Sequence, residues 1–135
     1  MAGTVLVDSG FLVALLNRRD RDHRWAVVRA SQLPPPWKTC EAVLSETFYL
    51  LGENGRGWLA TLLRRNAVVS TFTFTDNLVS VLDLIQKYAD VPMSLADACL
   101  VRMTEVLPDP VVLTNDKDFR VYRRHSRQVI PCSMP

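Results

Sequence analysis

The sequence has little cysteine and no long hydrophobic run. Its three cysteines, Cys40, Cys99 and Cys132, lie far apart and form no C-x-x-C pair. This pattern argues against a disulfide framework and a thiolate zinc site, and it favours reduced thiols in a cytoplasm. The first apolar run, residues 5–16, is interrupted by Asp8, follows no basic residue and is too short to span a bilayer. We therefore expect a cytoplasmic protein with no signal peptide and no membrane segment.

The chain also lacks a strong excess of either charge. The formal net charge is only +2, but ten of the sixteen basic residues fall in three short clusters: Arg18/Arg19/Arg21/Arg24, Arg64/Arg65 and Arg120/Arg123/Arg124/Arg127. Such local concentration permits a polyanionic partner without requiring one. The two histidines show no ligand spacing, so no imidazole metal site is predicted.

What the sequence does have is enough apolar residues for one core. With 135 residues, of which 48% are apolar, the chain predicts a single domain that spans residues 1–135. Strand-like and helix-like segments alternate from end to end, which predicts an α/β fold with a parallel sheet covered by helices on both faces.

The predicted elements follow apolar periodicity and capping residues. We expect Thr39 to cap a helix that glycines interrupt at 52–57, and Ser94 to begin another helix. The predicted strands are 4–7, 37–39, 67–74 and 111–114, with an edge strand near 128–130. The predicted helices are 10–17, 22–33, 40–53, 58–65, 75–89, 94–107 and 116–124.

Two acidic residues directly follow predicted strands. Asp8 comes after the run "VLV", and Asp116 comes after "VVLTN". Ligands bind beyond the carboxyl ends of strands in an open parallel sheet, so both carboxylates are candidate ligands. Asp8 could instead cap the helix that begins near Gly10. In the later segment, Asp118 is the expected helix-cap partner of Asn115, which leaves Asp116 as the ligand.

Two further acids lie on predicted helices. The helical neighbours of Glu46 suggest an apolar face, where an unpaired acid is costly: Ala42, Val43, Tyr49 and Leu50. Asp97 could complete a capping box with Ser94. Because its other helical neighbours are apolar, a cap and a ligand remain equally open for Asp97.

Like-charged carboxylates brought close together need a proton or a metal ion to neutralise them. Oxygen ligands without histidine or cysteine suit Mg²⁺ or Mn²⁺, and such ions are often completed by a phosphate oxygen. A metal held in this way could activate water against phosphorus. The expected reaction is therefore phosphodiester hydrolysis.

Four segments, "VLVDSGFLVALL", "SETFYLL", "SLADACLVRM" and "VLTNDKDF", together resemble the PIN-domain nucleases, including VapC-type ribonuclease toxins. The resemblance extends from residue 5 to about residue 130. It implies a three-layer α/β/α sandwich with a mostly parallel sheet, endoribonuclease activity with Mg²⁺ or Mn²⁺, frequent dimerisation and an antitoxin partner. It also implies a metal-binding quartet and two supporting polar residues: Asp8, Glu46, Asp97 and Asp116, with Thr114 and Asp118.

The last basic cluster follows the last acid of this quartet. An RNA backbone entering the site could be held by Lys117, Arg120, Arg123 and Arg124. The alternative for each of these residues is a solvated helix face. We also expect a hydrophobic groove for a second copy or an antitoxin helix, because residues 12–16 and 48–51 carry more apolar surface than a small sheet can cover.

Rival functions fit the sequence less well. A haloacid-dehalogenase-like phosphatase needs a second aspartate two positions after the first, and Gly10 stands there. A receiver domain expects an early pair of adjacent acids and a lysine that ends its last strand, and neither is present. A non-catalytic PIN-like module that binds RNA or protein remains the main alternative.

Overall fold

The computed structural model describes residues 3–135, and these form one five-stranded sheet, one small hairpin and five α-helices. In chain order the elements are β1 Thr4–Val7, α1 Ser9–Leu16, α2 His23–Gln32, β2 Trp37–Cys40, α3 Glu41–Arg64, β3 Val68–Phe72, α4 Leu78–Lys87, α5 Leu95–Val106, β4 Pro110–Leu113, β5 Arg123–Arg124, β6 Gln128–Val129 and β7 Cys132–Ser133. Two short 3-10 turns, Thr75–Asn77 and Lys117–Arg120, precede α4 and β5.

The large sheet has the strand order β3-β2-β1-β4-β7, and every pairing in it is parallel. Helices flank this sheet, so the predicted α/β/α architecture is confirmed. β1 and β4 pair along their whole length, and Val7 lies opposite Leu113. The residues that follow these two strands therefore leave the sheet side by side at its carboxyl edge.

Apolar side chains from the sheet and helices form the core. α1 packs against α2 and α3, and α5 packs against α3 and α4. Phe11 of α1 meets the rings of Trp25 and Trp37 edge-on, at centroid distances of 5.8 and 5.3 Å. In the part of the chain that is described, no helix is both long and apolar enough to cross a membrane.

The start and course of α3 differ from the prediction. Thr39 does not cap this helix: it is the third residue of β2, and its buried hydroxyl donates to the carbonyl of Val7 at 2.9 Å. The hydroxyl therefore bonds to a carbonyl of the neighbouring strand and does not cap the helix. The expected break between two helices is a kink at Gly52, which has φ 59° and lets α3 resume its course to Arg64.

The predicted helix over residues 116–124 is wrong. Only the short turn Lys117–Arg120 forms, and the chain then enters the hairpin β5–β6. The backbone N–H of Arg123 donates to the hydroxyl of Tyr88 at 2.9 Å, and His125 and Ser126 have positive φ, which reverses the chain. The predicted edge strand near 128–130 is therefore wrong: β6 pairs with β5, and the strand that extends the large sheet beside β4 is β7.

Candidate metal centre

Three acidic side chains converge at the carboxyl edge of the sheet. Asp8 follows β1, Asp97 lies in the first turn of α5, and Asp116 stands three residues after β4. Each offers a carboxylate oxygen, and the three oxygens lie within 4.8 Å of one another. Residues that are about 90 and 20 positions apart in the sequence are thus brought together by the pairing of β1 with β4 and by the packing of α5.

Asp8 is both a helix cap and a member of this group. Its Oδ1 accepts a hydrogen bond from the N–H of Ser9 at 2.7 Å, and its Oδ2 accepts one from the hydroxyl of Thr114 at 2.7 Å. Only 4% of the residue is exposed. Burial raises the pKa of Asp8 to about 7. The nearby charges of Asp97 and Glu46 also raise this pKa, whereas the hydrogen bonds from Thr114 and Ser9 lower it.

Asp97 likewise combines the two alternatives that the sequence left open. The hydroxyl of Ser94 accepts a hydrogen bond from the backbone N–H of Asp97 at 3.0 Å and so caps α5. The carboxylate of Asp97 accepts a hydrogen bond from the hydroxyl of Tyr122 at 3.0 Å. Burial raises the pKa of Asp97 to about 6, and the charge of Asp116 adds to this despite the Tyr122 hydrogen bond.

Thr114 connects the two acids that follow the strands. Its hydroxyl donates to Asp8 and accepts from the N–H of Asp116 at 3.0 Å, and the side chain is fully buried. Oδ1 of Asp116 accepts from the N–H of Asp118 at 2.9 Å. The cap of this turn is therefore Asp116, whereas the sequence suggested Asp118. One carboxylate oxygen caps the turn, and the side chain still belongs to the acidic group.

Glu46 lies at the rim of this group. The prediction of an apolar face around it is wrong: Glu46 is exposed, and its neighbour Tyr49 is 83% exposed. Its Oε1 accepts a hydrogen bond from the hydroxyl of Ser9, the same residue whose N–H donates to the Asp8 carboxylate. Glu46 is not one of the three acids within 4.8 Å, but its charge helps to raise the pKa of Asp8.

The donor set fits a hard divalent cation. All three converging side chains offer carboxylate oxygen, which is the ligand type of Mg²⁺ and Mn²⁺. The raised pKa values of Asp8 and Asp97 show that burial and mutual repulsion disfavour their charged forms. A bound cation would reverse this preference, because it favours ionised carboxylates.

The basic residues after the last acid divide into two pairs. Lys117 and Arg120 are exposed. Arg123 is turned back on its own turn, where its guanidinium donates to the carbonyl of Arg120 at 2.6 Å and to two following carbonyls. Arg124 donates to the carbonyl of Thr104 near the end of α5. Arg123 and Arg124 are therefore already hydrogen-bonded to backbone carbonyls.

Two residues of the site were missed in the sequence. Tyr122 was assigned to a helix, and nothing in the local pattern indicates that its hydroxyl reaches an acid 25 positions earlier. Ser9 had a signal, because it directly follows Asp8, but its two hydrogen bonds to separate acids depend on how α1 packs against α3.

Comparison with known proteins agrees with this geometry. The family model described as the PIN domain matches residues 5–124. Among solved structures, the chain is similar to VapC20 of Mycobacterium tuberculosis, described as a toxin that cleaves the sarcin-ricin loop. The two share 25% sequence identity with a TM-score of 0.61, and the match covers 72% of this chain and 78% of that one. No curated protein sequence matches the chain.

Proposed function

Because the chain belongs to the PIN-domain family, we propose that it is a metal-dependent endoribonuclease that hydrolyses RNA phosphodiester bonds. The observation that carries the proposal is the group of three aspartates whose oxygens lie within 4.8 Å. Similarity to VapC20, described as a toxin that cleaves the sarcin-ricin loop, supports RNA as the substrate and a toxin as the biological role.

In this proposal the cation is Mg²⁺ or Mn²⁺, held by Asp8, Asp97 and Asp116, with Glu46 at the rim. The bound ion would supply a charge that stabilises the phosphorane-like transition state and lowers the pKa of a water. The protein supplies the positions of the carboxylates, since Thr114 and Tyr122 each fix one of them by a hydrogen bond.

We assign the handling of a proton to Glu46. One of its oxygens accepts the Ser9 hydroxyl, and the side chain is exposed, so its second oxygen is open to a water that attacks the phosphate. Asp118 is half-buried in the turn beside Asp116 and supports the site through that turn. Lys117 and Arg120, exposed in the same turn, would hold the RNA backbone.

RNA cleavage by the purified protein tests this proposal. With Mg²⁺ or Mn²⁺ the parent should cut RNA, and a chelator should stop it. Asp116→Asn should lower the rate by about 100-fold or more, because it removes a ligand charge, while Asp83→Asn on the exposed face of α4 serves as the matched control. RNA binding without cleavage under every metal condition would instead favour the non-catalytic PIN-like module.

An antitoxin partner would have a surface to bind. A cavity of about 690 Å³ lies between α1 and α3, where the sequence predicts a groove. Its walls combine apolar and basic side chains: Leu15, Leu16, Arg18, Arg19, Leu51 and Trp58. This lining would suit an amphipathic segment with apolar anchors and acidic residues.

A toxin of this kind would act in the cytoplasm, in the cell that also makes its antitoxin. We expect a small gene immediately upstream, and its product should bind the protein and suppress cleavage. Trp58→Ala, at a side chain that is 65% exposed, should weaken that complex while the isolated protein keeps its fold.

The protein itself is proposed to form a homodimer. α4 exposes Leu78, Val79 and Leu82, an apolar stripe that a second copy could cover. Light scattering at micromolar concentration should give the mass of a dimer, and Val79→Lys should shift it to that of a monomer. A parent that stays monomeric would contradict this part of the proposal.

A further inference from the structure

A second cavity, which the acidic group does not use, opens at the carboxyl ends of β2 and β3. Its volume is about 490 Å³, within the range of roughly 300–1,000 Å³ that is typical of small-molecule sites. Its lining comes from the start of α3, the residues after β3 and the face of α5 opposite Asp97: Cys40, Glu41, Phe72, Phe74, Leu95 and Cys99.

This cavity adjoins the proposed catalytic edge. Ala42 and Leu95 line it and also line a neighbouring depression of about 520 Å³, whose wall includes Glu46. Most residues that line this depression are exposed, so a strand of RNA with a phosphate at the aspartates could pass Glu46 and reach the cavity across it. The location therefore suits the base of a nucleotide next to the scissile phosphate.

The lining has the chemistry of a base-binding pocket. Phe72 and Phe74 are half-buried, so each ring keeps an accessible part against which an unpaired base can stack. Glu41 is exposed, and its carboxylate makes no ion pair or side-chain hydrogen bond with any other residue in the range 3–135. It is thus free to accept hydrogen bonds from a ligand.

A carboxylate can only accept, so it selects the base that offers adjacent donors. The Watson–Crick edge of guanine presents N1–H and the N2 amino group side by side, which matches the two oxygens of a carboxylate. Adenine and cytosine present a single amino group beside a ring nitrogen that is itself an acceptor, and uracil offers one N–H between two carbonyls. Glu41 would pair with two donors only in guanine.

We propose that this cavity binds a guanine base of the RNA and that Glu41 is the residue that determines this preference. The inference rests on the proposed ribonuclease function, since it assigns the base specificity of the same site. Phe72 and Phe74 supply the affinity for any base, whereas Glu41 supplies the discrimination.

The test measures binding separately from cleavage. Fluorescence anisotropy in chelator compares two labelled tetranucleotide RNAs that differ only in one guanosine or adenosine. The parent should bind the guanosine RNA about 10-fold more tightly, and Glu41→Gln should bring the ratio close to one. Glu53→Gln, also exposed and on the same helix, is the matched control and should keep the ratio. Phe74→Leu should weaken the binding of both RNAs by about 5-fold.

A second arm sequences the cut ends of a random RNA incubated with metal. Guanosine enrichment at one position beside the cut, absent in Glu41→Gln, supports the inference. Cleavage without such enrichment, or equal loss of the ratio in Glu53→Gln, overturns it and leaves the proposed function standing. A guanosine preference in binding with no cleavage under any metal condition supports the pocket and contradicts the nuclease. No binding of either RNA in chelator, together with no cleavage in metal, overturns both.

Discussion

The acidic group and the last basic cluster show opposite relations between sequence and space. Asp8, Asp97 and Asp116 are far apart in the chain but bring their oxygens within 4.8 Å. Arg123 and Arg124 are adjacent in the chain, yet one turns onto its own backbone and the other reaches Thr104. The acids repel one another and remain open to a cation, while the arginines already have acceptors. Proximity in sequence is therefore a poor guide to which charges act together.

Asp97→Asn should have the largest effect, because it removes one of the converging charges. Its amide oxygen can still accept the hydroxyl of Tyr122, so the packing is retained. We expect Mg²⁺-dependent cleavage to fall by about 100-fold or more. In chelator at pH 8 the variant should be more stable than the parent by about 1 kcal/mol.

That gain in stability should depend on pH in a defined direction. Since the pKa of Asp97 is raised from 3.8 to about 6, the parent carries the cost of its charge above pH 6 and loses that cost as the pH falls toward 4. Urea unfolding at pH 8 and pH 4, with Asp90→Asn as an exposed control, measures the difference. A variant that is destabilised at pH 8 and still cuts RNA at the parent's rate would contradict the assignment of Asp97 as a ligand.

The metal-free parent should lose stability as the pH rises. The pKa of Asp8 is raised from 3.8 to about 7, so the folded state holds a proton between these values that the unfolded state releases. The free energy of unfolding should therefore fall by about 2–4 kcal/mol from pH 4 to pH 8 in chelator. Urea titrations with Mg²⁺ should show a smaller fall, because the cation favours the ionised acids. Identical pH profiles with and without Mg²⁺ would contradict a metal at this site.

The basic residues that follow Asp116 should give the smallest effect. Each phosphate contact contributes a slope of about 0.7 to the logarithmic salt dependence of single-strand binding. Replacing Lys117 and Arg120 together by alanine should thus lower the slope by about 1.4, with little change in melting temperature. Replacing Arg123 and Arg124 together by alanine should lower the melting temperature, since both side chains donate hydrogen bonds to backbone carbonyls. A slope that falls only in the second variant would assign the RNA path to the hairpin.

Sequence patterns were sufficient wherever a local signal or a general rule of α/β folds decided the outcome. The parallel sheet follows from alternating elements, and the positions of Asp8 and Asp116 follow from the ends of β1 and β4. The cap formed by Ser94 was visible in four consecutive residues. In each case the information is local or depends on the general rule that ligands bind at the carboxyl edge.

Patterns failed where a distant partner decided the outcome. Thr39 has the composition of a cap, but a carbonyl 32 positions earlier accepts its hydroxyl. Residues 116–124 have helical periodicity, but the hydroxyl of Tyr88 takes the N–H of Arg123. Glu46 has apolar helical neighbours, yet nothing in the described chain covers Tyr49. Periodicity reports which residues share a face and does not report what covers that face.

The hydroxyl of Thr114 determines which lone pairs of Asp8 remain free. This hydroxyl accepts a hydrogen bond from the N–H of Asp116 and donates its only proton to one oxygen of Asp8. The other oxygen of Asp8 accepts a hydrogen bond from the N–H of Ser9. Each oxygen of Asp8 then has one free lone pair. A proton and a cation must compete for these same lone pairs, so loading the site with Mg²⁺ near neutral pH should expel protons, and a weakly buffered solution should acidify as the protein fills.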